Sequence, residues 1–167
     1  SGADFTVTPR PMYTADGRKI PDIWTEPSEL REHLQKLLGR FPLFKFWGPA
    51  TSIESTRWLA DAALAVDKKL KPNLTFIYLP HLDYNFQRLG PADPRCQRDL
   101  REVDAEVGKL LDHYSPHAAI ILLSEYGITS VSRPIHINRL LRKLNLISTR
   151  LELGREMPDF GDSQAFA

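Results

Sequence analysis

Apolar residues recur at helical spacing in four stretches of the chain and form unbroken strand-sized runs in two others. Pro27-Ser28-Glu29 opens the first helix. Leu30, Leu34, Leu37 and Leu38 make its stripe, and Gly39 stops it. Thr51 or Ser52 caps a second helix to about Leu70, with Trp58, Leu59, Ala62, Ala65 and Val66 on one face. The longest helix is expected over residues 95 to 114, facing the core with Leu100, Val103, Val107, Leu110 and Leu111. A further helix is expected over 134 to 144. Residues 74 to 79 and 118 to 123 read as buried strands, and Phe41 to Trp47 alternates aromatic and polar residues in strand fashion. Residues 146 to 153 suggest another strand. The segments 1 to 25 and 80 to 94, rich in proline and polar residues, read as loops, as does the polar end of the chain.

The strand, helix, strand order over 74 to 123 carries the fold expectation. Both strands are apolar throughout rather than alternating, which favours a parallel sheet covered by helices on both faces. The class is therefore α/β. One domain is expected over 1 to 167, with an extended entry segment (1 to 25), a core (26 to 153) and a polar tail (154 to 167).

Composition narrows the picture a little. With 42% hydrophobic and 26% charged residues, the 167-residue chain is ordinary for a globular protein. A net charge of +1, with both signs interspersed, offers no field for a nucleic-acid polymer. Arg139, Arg142 and Lys143 cluster on what reads as the polar face of a helix. No apolar run approaches the ~20 residues of a membrane span, and Ser1 to Arg10 shows no signal-peptide core. The lone cysteine, Cys96, excludes an internal disulfide.

In an open parallel sheet, functional groups gather beyond the carboxyl ends of the strands. Two segments sit there, Pro80 to Pro91 and Ser124 to Ile128, and each carries a carboxylate, Asp83 and Glu125. If the strands are neighbours, the two carboxylates face one crevice, and two such charges held together call for a cation. The alternatives are a turn cap for Asp83 and a solvated loop position for Glu125. His81 reads either as a ligand or as a loop histidine bonded to backbone. His136 reads either as a site residue or as the start of a helix. His33, His113 and His117 fall on helix surfaces or turns and suggest no chemistry. No P-loop, paired zinc cysteines or Gly-x-Ser-x-Gly elbow is present.

Tyr78-Leu79-Pro80 to Gly90-Pro91 resembles a motif of the nucleotide pyrophosphatase/phosphodiesterase branch of the alkaline phosphatase superfamily. There a strand ends in an aspartate, with a histidine four residues on and Gly-Pro shortly after. Asp83 falls on the aspartate, Gln87 on the histidine and Gly90-Pro91 on the pair. The helix with Asp104 and Leu110-Leu111 resembles the family's next one. Ser124-Glu125-Tyr126-Gly127 takes the place of Ser-Asp-His-Gly after the following strand. The resemblance covers about residues 74 to 130 well and the flanks more loosely.

The resemblance implies a partial αβα sandwich of alkaline-phosphatase type with a mostly parallel sheet. It implies two divalent metal ions (zinc, manganese or magnesium) and displacement at phosphorus on a phosphodiester or nucleotide-like substrate. Asp83, Glu125 and Gln87 would be metal ligands, and Tyr126, His81 and His136 would contact substrate or support the ligands. The family's hydroxyl nucleophile would lie before this chain and a last histidine ligand after it. The expectation is then an internal fragment, inactive alone and prone to self-association through an uncovered edge. The rival reading is a non-catalytic relative that binds a ligand or partner on the same scaffold.

Overall fold

The structure is a computed structural model and describes residues 2–167. The chain divides into two units, the first running to Ser130 and the second spanning Val131–Ala167.

The first unit opens with two small antiparallel pairs. β1 (Thr6–Pro9) lies beside β4 (Ile23–Glu26), and between them β2 (Met12–Tyr13) turns back on β3 (Lys19–Ile20). The segment expected as a loop thus carries ladder hydrogen bonds. Its alternation is short but real, since Ile23 and Thr25 are buried while Trp24 and Glu26 face out. α1 (Glu29–Leu38) buries Leu30 and Leu34 as its spacing predicts. Asp22, buried just before β4, receives Arg31 through Nε at 2.8 Å and Nη2 at 3.0 Å, and Gln35 at 2.8 Å, which ties the sheet to α1.

The run 41 to 47 is not a strand. Leu43–Lys45 forms a single 3₁₀ turn. Pro42 cannot donate to a ladder, and the aromatic residues gain more by converging than by alternating. Phe41 packs edge-to-face on both Phe46 (5.3 Å) and Trp58 (5.4 Å). With Ile23, Leu34 and Ala62 they form the first core cluster. Trp58 Nε1 donates to the Gly39 carbonyl at 3.1 Å, so its polar edge is satisfied inside that core.

α2 (Ile53–Leu70) starts at Ser52, whose hydroxyl accepts the Glu54 N–H. α3 (His81–Leu89) is a helix where a loop was expected. Leu82, Phe86 and Leu89 have helical spacing, no proline interrupts them, and Gly90 ends the helix at φ 82°. α4 (Pro94–Tyr114) begins on Asp93, whose carboxylate accepts the Arg95 N–H.

α2 and α4 run side by side in the same direction. Arg57 meets Glu106 at 2.9 Å, Asp61 meets Lys109 at 3.3 Å and Asp67 meets His113 at 2.7 Å, so both numbers rise together. The carboxyl ends of the two helices are therefore neighbours, and each feeds one of the apolar runs. Ile77 and Leu79 of the first run pack with Leu64 onto Ala60, Leu110 and Tyr114, while Phe76 and Tyr78 face out. The second run, with Ile121, Leu122 and Leu123, lies exposed.

Neither run is a strand. Among the described residues no ladder joins residues 74 to 79 or 118 to 123 to another segment. An extended run becomes a strand only through hydrogen bonds to a partner, and uniform hydrophobicity supplies burial without supplying that partner. The expected parallel sheet is thus replaced by antiparallel pairs lying elsewhere in the chain. The architecture is a mixture of helices with small sheets.

The second unit contains α5 (Ile137–Lys143) and the hairpin of β5 (Ser148–Glu152) with β6 (Arg155–Asp159). The expected helix and strand are present, but the segment taken as a polar tail supplies β6. Leu153 and Gly154, both at positive φ, make the turn. Arg142 forms a bidentate pair with Glu156 at 2.8 and 2.7 Å, joining α5 to the hairpin, and Ile147 is buried. Among the described residues no helix is long and apolar enough to cross a membrane.

Candidate functional site

Asp83 lies in the first turn of α3, where a carboxylate is favoured by the helix dipole. Gln87 follows one turn later on the same face and donates from Nε2 to Asp83 Oδ1 at 2.7 Å. The Tyr126 phenol donates to the same oxygen at 2.5 Å, across 43 residues of sequence. The helix after the first apolar run and the loop after the second are therefore in direct contact, although the runs themselves form no sheet. Asp83 is half-buried, whereas Tyr126 and Glu125 are exposed.

Glu125 belongs to the same electrostatic group. The Tyr126 phenol is pushed up to about 12, first by its hydrogen bond to Asp83, with further contributions from desolvation and from the charges of Asp83, Tyr78 and Glu125. The Tyr78 phenol is also raised, by desolvation and then by the charges of Asp83 and Glu125. Two phenols thus feel both carboxylates. Among the described residues neither Asp83 nor Glu125 has a lysine, arginine or histidine within ion-pair distance.

The donor set fits a divalent cation in its chemistry. Asp83 and Glu125 supply carboxylate oxygens without a protein cation between them. Gln87 has its amide N–H₂ turned to Asp83, which leaves the carbonyl oxygen for a ligand role. All three are oxygen donors, the set suited to magnesium, manganese or calcium.

His81 sits deeper than a loop histidine would. It is buried at the start of α3, and its Nε2 lies 3.0 Å from Glu102 Oε2 and 3.9 Å from Asp99 Oδ1. Asn85 Nδ2 donates to Asp99 Oδ2 at 2.6 Å, and Arg98 approaches the same two acids. This network fastens α3 to α4 from within and so sets the position of Asp83 two residues further on. Its members Asn85, Asp99 and Glu102 were not singled out from the sequence. Their one-turn spacings on two helices were the available signal.

His136 lies in the second unit, immediately before α5, where its carbonyl accepts the N–H groups of Arg139 (3.0 Å) and Leu140 (3.1 Å). Its backbone therefore does what the helix-start reading expects.

The family profile of type I phosphodiesterase / nucleotide pyrophosphatase matches residues 2–159, so the chain belongs to that family. Among curated relatives, a pyrophosphatase/phosphodiesterase of Schizosaccharomyces pombe, itself uncharacterized, is 31% identical over 74 residues. That alignment covers 41% of this chain and 15% of the yeast protein. No solved structure matches significantly.

Proposed function

We propose that this chain contributes part of the metal-binding face of a phosphoric-ester hydrolase, of phosphodiesterase or nucleotide pyrophosphatase type, and is inactive by itself. The observation that carries the reading is the contact of Asp83 with Gln87 on α3 and with Tyr126, remote in sequence, in the field of Glu125 and with no protein cation to neutralise the carboxylates. Family membership supplies the reaction class.

In this reading Asp83 and Glu125 hold divalent metal, with the Gln87 carbonyl as a further ligand. When bound, the metal supplies charge stabilisation for the attacking and leaving oxygens of a displacement at phosphorus. The chain's own residues hold that arrangement. Gln87 and Tyr126 fix the Asp83 carboxylate through two hydrogen bonds to one oxygen, leaving the other for a ligand. Tyr126, with its phenol raised to about 12, stays protonated at neutral pH. It acts as a donor to carboxylate or phosphate oxygen and not as a base. His81 supports the site through α4. The nucleophile is supplied outside this chain, and a nucleotide-like phosphodiester is the substrate class.

The test uses the complete parent protein and a chromogenic phosphodiester. Turnover should vanish on chelation, return with divalent metal, and fall by several orders of magnitude in Asp83→Ala, because groups that act as a unit fail together. Metal-independent turnover, or full activity in Asp83→Ala, would overturn the reading.

A further inference from the structure

Asp67, His113 and His117 stand together at the shared carboxyl end of α2 and α4. One ligand atom from each lies within 4.8 Å of the others. His113 Nε2 is already 2.7 Å from Asp67 Oδ2. The chain after α4 then folds back, because the Tyr114 carbonyl accepts both the His117 N–H at 3.0 Å and the Ala118 N–H at 2.8 Å. That turn brings the His117 ring to 5.5 Å from the His113 ring, at 90° to it.

We propose that these three residues form a divalent-metal site of zinc class, separate from the oxygen-donor cluster at Asp83, which clips the ends of α2 and α4 together. The chemistry differs from that at Asp83. Two imidazoles, borderline donors, beside one carboxylate select zinc, cobalt or nickel over magnesium. The distances are within reach. With metal–ligand bonds near 2.0–2.2 Å, the ligand atoms of a tetrahedral zinc site lie about 3.3 Å apart. The Asp67–His113 contact must open slightly and His117 must close by a small side-chain rotation. His117 is exposed.

Two further observations point the same way. Among the described residues His113 is the only basic side chain within ion-pair distance of Asp67. The neighbouring Tyr114 is buried, and burial followed by the Asp67 charge pushes its phenol up. The carboxylate is thus held at the edge of an apolar cluster with only imidazole as its counterpart. A pair alone would use one histidine, whereas the turn at Tyr114 delivers two.

The consequence reaches the candidate site. The α2 end leads through Ile77 and Leu79 to Asp83, and the α4 end leads through residues 118 to 123 to Glu125 and Tyr126. A metal holding both ends would fix the starting points of both loops.

The experiment takes the full chain, stripped with chelator, and titrates it with cobalt(II) followed by optical spectroscopy and with zinc followed by calorimetry. One equivalent of cobalt should give the intense visible bands of a four- or five-coordinate site with nitrogen ligands, and zinc should displace it. His117→Ala, at an exposed position, should weaken zinc binding by about 10–100-fold or more with circular dichroism unchanged. Asp83→Asn should leave this equivalent intact. No cobalt spectrum at millimolar metal, or undiminished binding in His117→Ala, would overturn the assignment. So would binding lost only in Asp83→Asn.

Discussion

The phenol of Tyr126 donates to the carboxylate of Asp83 at 2.5 Å. This one bond joins the loop that ends the second apolar run to the helix that follows the first. It also makes the pH behaviour of the site predictable. Hydrogen bonding to a carboxylate favours the neutral phenol, and the surrounding acids oppose a phenolate.

Tyr126 should therefore be the last tyrosine to ionise in a spectrophotometric titration, near its raised value of about 12. Its folded-state value lies above the ordinary 10.0. The contribution of the bond to stability is thus complete below about pH 10 and is lost as pH rises through the folded value. The stability difference between the parent chain and Tyr126→Phe should be constant from pH 6 to 9 and shrink above 10. A difference that changes between pH 6 and 9 would show that another group governs the contact.

The sequence and the structure agree best where spacing alone decides the outcome. Leu30 and Leu34 in α1, and Val103 and Leu110 in α4, are buried as periodicity requires, while Leu37, Leu100 and Leu111, expected on the same stripes, are exposed. The Ser52 cap holds too, because capping is a local bargain between one side chain and the backbone next to it. The runs at 74 to 79 and 118 to 123 went otherwise. Hydrophobicity states that a segment seeks cover, but a strand also needs a partner that its own residues do not encode. Phe41 to Trp47 failed for a related reason. Its alternation was outweighed by the aromatic cluster around Trp58, which lies in another element. At the candidate site, Asp83, Gln87 and Tyr126 were legible as a group from a family motif, and the structure brings them into contact. The Asp99–Glu102 support beneath His81 and the Asp67–His113–His117 group were missed. Each depends on which faces of two helices meet.

The junction at Asp22 should be an acid-sensitive contact in the first unit. Burial alone would raise its carboxyl. The hydrogen bonds from Arg31, the backbone of Ile23 and Gln35, with the Arg31 charge, outweigh that and hold it below 3.8. A depressed carboxyl stabilises the fold above its ordinary value, and that stabilisation is lost as pH falls through the folded value. Asp22→Asn should cost about 1–3 kcal/mol at neutral pH, since Arg31 keeps its charge without a carboxylate opposite. The deficit should narrow as pH falls below about 4. Urea denaturation of both chains at pH 7 and pH 3 measures this, and an equal deficit at the two values would contradict it.

Leu34 has no exposed surface and touches the cluster of Ile23, Phe41, Trp58 and Ala62. Leu34→Ala should destabilise the first unit by about 2–5 kcal/mol, the combined loss of transfer energy and creation of a cavity. Leu37, on the same helix but exposed, should tolerate alanine within about 0.5 kcal/mol. Trp58 fluorescence reports both transitions, because its ring is part of the cluster. Equal effects at the two positions would mean that α1 is not held by this face.

The last prediction concerns metal choice in the complete protein and follows from the position of Gln87. Gln87 stands one helical turn after Asp83, with its amide on the carboxylate, at an exposed position where replacement should leave α3 folded. Its amide can offer a cation only a neutral oxygen, so the visible ligand set is made of oxygen throughout. Such sets suit magnesium and manganese, whereas imidazole nitrogen raises the relative affinity for zinc. Gln87→His places imidazole beside Asp83 without changing the rest of the site. The ratio of zinc-supported to manganese-supported turnover should then rise, on the order of tenfold, the scale on which a single group near a metal alters its affinity. Gln87→Leu removes the donor and should weaken both metals together. If Gln87→His leaves the ratio unchanged while Asp83→Ala abolishes turnover, Asp83 serves the reaction and Gln87 lies outside the coordination sphere, holding the carboxylate only through its hydrogen bond.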